Sequence, residues 1–214
     1  MPTSASNRPD PSELSWIFAQ HQLWLDGGGG VRADLRGKDL RGRTLKHINL
    51  SRADLNDADL TGASITHVNL ATASASGAKF IRASLTSVSL FNAMLEGAQF
   101  LDARLKDVSF DEATLTASIL QGVRGTGVTF CRTMAMRAVF LKAHLAGCSF
   151  TEAYLGGARL EGSDLSRCHF HRTKLMEASL KGCNLAQADF DGAWMDGVDL
   201  TRARLQGAIH MPTA

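Results

Sequence analysis

Histidine and cysteine are the residue types here best suited to chemistry, and their spacing decides which chemistry is open to them. His169 and His171 flank Phe170, while His47 and His67 lie 20 positions apart. Either pair offers two imidazole nitrogens to a borderline metal ion, but a protein metal site draws on three or four ligands. Neither pair has a third ligand in its pattern, so the expectation is a solvated surface pair, with no metal and no cofactor. Cys131, Cys148, Cys168 and Cys183 lack the CxxC spacing of a zinc site and read as reduced thiols of a cytoplasmic protein. Gly27 to Gly30 are not followed by the Lys-Ser/Thr of a phosphate loop and read as a linker. No nucleophile, base and orienting group converge in the pattern, so no catalytic residues are assigned and the protein reads as a non-enzyme.

The elements that would position any such group follow from a repeat. The stretch ADLNDADLTGASITHVNL places a large apolar residue at Leu55, Leu60, Ile65 and Leu70, every fifth position. Neither a helix at about 100° per residue nor a flat strand keeps residues five apart on one face. From Ala33 to Ala208 the register never slips: of 35 large positions, 22 are Leu and eight are Phe, and only Ala75, Gly125 and Ala135 are small. Two residues earlier, 20 of 36 positions are Ala, and in an extended stretch that residue points the same way as the large one. The residue between them points to water, and the two that follow read as a turn. Each unit is thus a short edge and a corner. Every phenylalanine at a large position has a number ending in zero, and Phe110, Phe130, Phe150, Phe170 and Phe190 recur every 20 residues. Four units per coil put those five in one stack and Phe80, Phe100 and Phe140 on the facing wall. Gly125 and Ala135 mark the place where the coil is expected to bend or carry a small void.

The units ADLRG, ADLND, ADLTG and ADFDG resemble the consensus of the pentapeptide-repeat family, and the resemblance covers residues 33–208. It implies an all-β solenoid, a right-handed quadrilateral β-helix. At four units per turn the repeat makes about nine coils, and at a strand spacing of roughly 4.8 Å these form a rod of roughly 43 Å. Ahead of it, DPSELSWIFAQHQLWLDGGGG carries an N-cap (Asp10), a proline at the first helical position (Pro11) and a capping-box glutamate (Glu13). Leu14, Ile17, His21 and Trp24 share one helical face, flanked by Phe18 and Leu25. The expected organisation is a disordered segment over 1–9, a capping helix and glycine linker over 10–32, the β-helix over 33–208 and a tail over 209–214. An open last coil needs a partner, and the resemblance suggests a homodimer through it.

The outer walls carry what functional information there is. The net charge of +2 favours neither nucleic acid nor a mimic of it, and no run of 18 apolar residues suggests a membrane span. Walls one to four, centred on residues 35, 40, 45 and 50 and their repeats, carry −3, +3, +5 and −2, with −1 from the first 32 residues. Wall three is basic, with Lys46, Arg104, Lys106, Arg124, Arg167 and Arg204. Wall one instead collects Met94, Met134, Met136, Met176, Tyr154 and Trp194, and wall two adds Ile81, Leu101, Ile119, Val139 and Leu141. Acidic Asp54, Asp57, Glu96, Glu177 and Asp196 run alongside. An apolar band edged by acids reads as a protein-binding surface, and hence as an interaction scaffold. The family's Qnr and MfpA branch implies an alternative, a DNA mimic protecting DNA gyrase. This sequence departs from that branch in its charge, in lacking projecting loops and in lacking a C-terminal dimerisation helix. A third reading is secretion-linked, because HQLWLDGGGGVRADLRGKDLRG resembles the entry segment of pentapeptide proteins associated with type VI secretion.

Overall fold

On three of the four walls the carbonyl of each large residue accepts from the backbone N–H three residues on, as in Lys38 to Leu35 (3.1 Å) and Ala58 to Leu55 (3.0 Å). The residue before that donor has positive φ: Gly37 at 58° and Gly62 at 67°. This is the signature of a type II turn. The chain therefore corners after each short edge, and four corners bring it back one layer along. Glycine suits such a corner, yet Arg52, Asp57, Arg132, Glu152 and even β-branched Thr72 hold φ between 56° and 62°. Bonds to the next coil hold them there: Arg52 N–H reaches Ala71 O at 3.0 Å and Thr72 N–H reaches Phe91 O at 2.8 Å.

The computed structural model of the chain describes residues 7–211. One wall forms a parallel sheet of five strands in chain order: β1 (Thr44–Lys46), β2 (Ser64–Thr66), β3 (Ser84–Ser89), β4 (Arg104–Ser109) and β5 (Arg124–Thr126). Partners are 20 residues apart throughout, from Thr44 with Ser64 to Lys106 with Thr126. Regular strands thus cover about four turns, fewer than the nine coils expected. Elsewhere successive coils meet through bridges one residue long at the same offset, from Asp34–Asp54 to Asp189–Ile209. The parallel β-solenoid stands, and it is narrow-edged because a corner every five residues leaves little room for a strand.

Inside, the large residues are buried from Leu35 to Phe190, whereas in the last coil Met195 and Leu200 are half-buried and Leu205 is exposed. Rings of Phe110, Phe130, Phe150, Phe170 and Phe190 stack with centroids 5.0, 4.8, 5.2 and 4.9 Å apart and planes within 6°. Phe100 and Phe140, on the facing wall, meet this column edge-on at 5.4 to 6.0 Å. Both geometries suit the ring quadrupole. At Thr133, Ser163, Cys168, Thr173 and Cys183, small positions that are not alanine, the side chain bonds a carbonyl 23 residues back, whereas Ser118 Oγ donates to Leu115 O three residues back. Thr133 Oγ1 donates to Phe110 O (2.8 Å), Ser163 Oγ to Phe140 O (2.6 Å) and Cys183 Sγ to Leu160 O (2.9 Å). The expected void at Gly125 is filled: Leu145 Cδ2 and Val128 Cγ2 lie 2.7 and 2.8 Å from where its Cβ would be.

Helix α1 (Pro11–Leu25) crosses the first coil. Asp10 caps it through Ser12 and Glu13 N–H, both at 2.8 Å. The Glu13 carboxylate does not close a capping box; it pairs with Lys38 Nζ of the first coil at 3.1 Å. Leu14 and His21 are buried, with Ile17, Phe18 and Trp24 partly so. His21 meets two backbone groups at the edge of the first coil. Ala33 N–H donates to its Nδ1 (3.0 Å), so Nε2 carries the proton and donates to Ser51 O (3.0 Å). Burial holds its pKa below the usual value, in keeping with a neutral ring. The turn back at Gly30 admits only glycine: φ is 71° and a Cβ would sit 2.3 Å from Gln20 O.

The disorder expected over residues 1–9 lies outside the described residues for 1–6. Residues 7–9 depart from it: Asn7 Nδ2 donates to Gly37 O, Asp39 N–H to Asn7 O (2.9 Å), and Arg8 Nη2 to Arg41 O (2.9 Å). Of the tail, residues 212–214 lie outside the described residues. Ile209 still bridges Asp189, and Met211 packs against the core.

Candidate functional site

The outward residues of wall one form a ladder: Met94, Thr114, Met134, Tyr154, Lys174 and Trp194, each bridged to the next. Met94 is 50% exposed, Met134 43%, Tyr154 40% and Trp194 57%, unusual values for large apolar side chains. The coil spacing determines what they do to one another. Lys174 Nζ sits 4.0 Å from the Tyr154 ring centroid and 5.5 Å from that of Trp194, so a cation lies between two aromatic rings. The apolar band is therefore interrupted at its aromatic end. Lys174 was legible in the register, as the residue 20 after Tyr154 and 20 before Trp194, but a reading keyed to apolar types passed over it. Arg132, Glu152, Arg172 and Gly192 complete a shallow pocket of about 590 Å³ around these three. Arg132 pairs with Glu112 at 2.8 Å and Arg172 with Glu152 at 3.9 Å.

Beside the ladder, Thr116, Met136, Gly156 and Met176 make a second column. Gly156 has no side chain between the two methionines, which leaves a notch of about 450 Å³ edged by Arg137, Gly157 and Glu177. Met136 is exposed and Met176 is half-buried. On wall two, Ile81, Leu101 and Leu141 are also half-buried rather than free, and so is Val139, whereas Ile119 is exposed. Side chains at a corner are shaded by those 20 residues before and after, so the band across walls one and two is narrower than the sequence pattern suggests.

The acidic residues part company. Asp54 is half-buried: its Oδ1 accepts Asn56 N–H (3.2 Å) and its Oδ2 lies 3.7 Å from Arg36 Nε. The same turn-closing bond is made by Asp34, Asp39, Asp59 and Asp164. The aspartate of the repeat is thus a local cap for its corner. Arg36 beside Asp34 holds that carboxyl down to about 2. Asp57, Glu96 and Asp196 are exposed, but Met136, Gly156 and Met176 lie between Glu96 and Asp196 in one column. They do not form a continuous acidic strip.

His47 and His67 stack at 4.9 Å, and no third ligand joins them among the described residues. His169 and His171 do gain one, contrary to expectation: Asp189, from the next coil. Cys148, Cys168 and Cys183 are buried free thiols, and Cys131 is half-exposed, 3.3 Å from Ser149 Oγ. Among the described residues, no helix is long and apolar enough to cross a membrane.

The pattern of the family described as Pentapeptide repeats matches in eight copies, over residues 33–71, 69–107, 83–122, 143–182 and 183–209. The chain belongs to the pentapeptide-repeat family. Among solved structures, this pentapeptide-repeat protein is similar to HetL of the cyanobacterium Nostoc sp. strain PCC 7120, a pentapeptide-repeat protein involved in heterocyst differentiation regulation. The two are 21% identical over 94% of this chain and 97% of that one, with a TM-score of 0.47. It is also similar to a trypsin-treated variant of QnrB1, a plasmid-mediated fluoroquinolone resistance protein: 21% identical over 76% and 82% of the two chains, TM-score 0.42. A third is Rfr23 of the cyanobacterium Cyanothece 51142, at 19% identity over 88% and 90%, TM-score 0.16. Among curated proteins, none matches the chain.

Proposed function

We propose that the protein is a non-catalytic interaction scaffold that holds a protein partner along wall one. The observation that carries this reading is the outward ladder of Met94, Met134, Tyr154 and Trp194, each at least 40% exposed on a rigid coil. Exposed large side chains on a pre-formed surface can bury apolar area without an ordering cost, and aromatic residues dominate binding energy where they do so. The filled interior supports the non-catalytic part of the reading, because stacked phenylalanines leave no cleft there for a substrate. The cytoplasm suits the four free thiols. Lys174 between Tyr154 and Trp194, with Arg132 and Arg172 edging the same pocket, favours a partner segment that is apolar with an acidic flank.

Gyrase protection by DNA mimicry is not adopted, because Asp54 is spent on its own corner and the exposed acids are scattered among methionines. A second copy of the chain is the competing occupant of the wall, since Trp194 lies in the last described coil. The test places a photo-reactive residue at Met134 or, as control, at Arg104 on wall three, and compares a Met134→Ser, Tyr154→Ser, Trp194→Ser variant by light scattering. Crosslinks to a different protein from Met134 but not Arg104, lost in the triple variant, are expected. Crosslinks only between copies would reassign the wall to self-association.

A further inference from the structure

The geometry points to a site for one divalent transition-metal ion on wall four, with His169, His171 and Asp189 as ligands and His210 holding Asp189 in place. The ligand atoms of the first three all lie within 4.8 Å of one another. His169 and Asp189 are bridge partners on successive coils, so the ladder sets their separation, and His171 follows one corner later. Two imidazoles and a carboxylate suit a borderline ion such as Zn²⁺, Ni²⁺ or Cu²⁺ better than Mg²⁺ or Ca²⁺.

The hydrogen bonds around Asp189 explain part of this arrangement without a metal. Oδ2 accepts from His171 Nε2 (2.7 Å), while Oδ1 accepts from His210 Nδ1 (2.8 Å) and from Asp191 N–H (3.1 Å). His169 is what they leave unexplained. Its ring makes no hydrogen bond among the described residues, yet it lies 5.4 Å from that of His171. With metal–ligand bonds of about 2.0–2.1 Å, ligand atoms of a tetrahedral site stand roughly 3.3 Å apart. The His171–Asp189 pair must open by about half an ångström from its present contact, a small side-chain rotation. The ion then takes the place of the shared proton, and the His171 ring proton moves to Nδ1.

The support for the carboxylate is already formed. His210 and Asp191 fix Oδ1 and leave Oδ2 for the ion, the kind of support that metal-binding carboxylates receive. The fourth position faces solvent past exposed His169, which leaves room for water or for a donor from a partner protein.

The test uses the full chain without a polyhistidine tag. Calorimetric titration with ZnCl₂ and NiCl₂ is expected to show one ion per chain, with no comparable binding of MgCl₂. His169→Ala, which removes no hydrogen bond, should weaken binding more than tenfold without moving the metal-free thermal transition. His210→Ala should weaken it by about tenfold, as loss of the hydrogen bond that orients a metal-binding carboxylate does. Asp189→Asn keeps a turn-closing oxygen and should abolish the one-to-one stoichiometry. His47→Ala should change nothing. Absence of stoichiometric binding to the wild-type chain, or binding by His169→Ala equal to wild type, would overturn the site.

Discussion

Two aromatic columns run along this solenoid at the same 20-residue period, one inside and one outside. Within, Phe110 to Phe190 stack ring on ring at about 5 Å and are sealed from water. Without, Tyr154 and Trp194 stand 40% and 57% exposed, and Lys174 lies between them. The coil imposes the same spacing on both, so spacing does not account for the difference. Solvent does: an inward ring has only other rings to meet, whereas an outward one can take a cation and stay wet. The inner column should therefore govern stability and the outer one association.

The comparison breaks most visibly at Phe150, which stacks on Phe130 and Phe170 and meets Phe140 edge-on. Phe150→Asp buries a charge with no partner, which costs several kcal/mol, and loss of the cooperative thermal transition by circular dichroism is expected. Phe150→Leu keeps an apolar though smaller side chain and loses the stacks, worth about 0.5–1.5 kcal/mol each. It should fold, with a lowered midpoint.

Gly125 sharpens the inner half. The repeat pattern alone predicts that a leucine there would complete the core and stabilise it. The structure predicts the reverse, because Leu145 and Val128 already occupy that space. Gly125→Leu should cost about 1–3 kcal/mol by overpacking. A rise in melting temperature would mean that the void exists after all.

For the outer column the expected stability effects are small. Tyr154→Ser should cost about 0.5–1 kcal/mol, the worth of an exposed cation–π contact, and Met134→Ser less. Lys174→Met would make the ladder continuously apolar, and self-association measured by light scattering should rise. The cysteines report on the same boundary. At pH 8 a thiol reagent should modify Cys131 in the folded protein, because it is half-exposed. Cys148 and Cys183, buried and pushed up to about 11, and Cys168, pushed higher still by burial, should react only in denaturant.

The inner column was legible in the sequence because one physical rule, apolar residues inward at every fifth position, governs all of it. The outer features follow from neighbours a coil away, and residue type alone hides them. Asp54 reads as surface charge until its bond to Asn56 N–H is seen, and Glu13 reads as a capping box until Lys38 comes within 3.1 Å. His210 is the clearest case. Extending the register by one unit points it inward, yet it is exposed, with φ at 53°, and its ring returns to Asp189. No periodic rule contains that contact.

An effect of similar small size is expected at the corners, which serve both columns alike. Thr72 is β-branched with φ at 57°, in a conformation that L residues avoid by roughly 1–2 kcal/mol. It is exposed; its hydroxyl bonds only the carbonyl of Ala71, and its N–H bond to Phe91 O survives any substitution but proline. Thr72→Gly relieves the strain but gives the unfolded chain back about 0.5–1 kcal/mol of freedom, so a gain of about 0.5–1 kcal/mol remains. Asparagine tolerates the same φ without that entropy, and Thr72→Asn should gain as much or slightly more. Gly62 is the matched control, with φ at 67° and open space where a Cβ would go. Gly62→Thr should lose what Thr72→Gly gains, in a pair of melting curves displaced to opposite sides of the wild type. Equal losses at both corners would show that packing, and not backbone strain, sets the choice of corner residue.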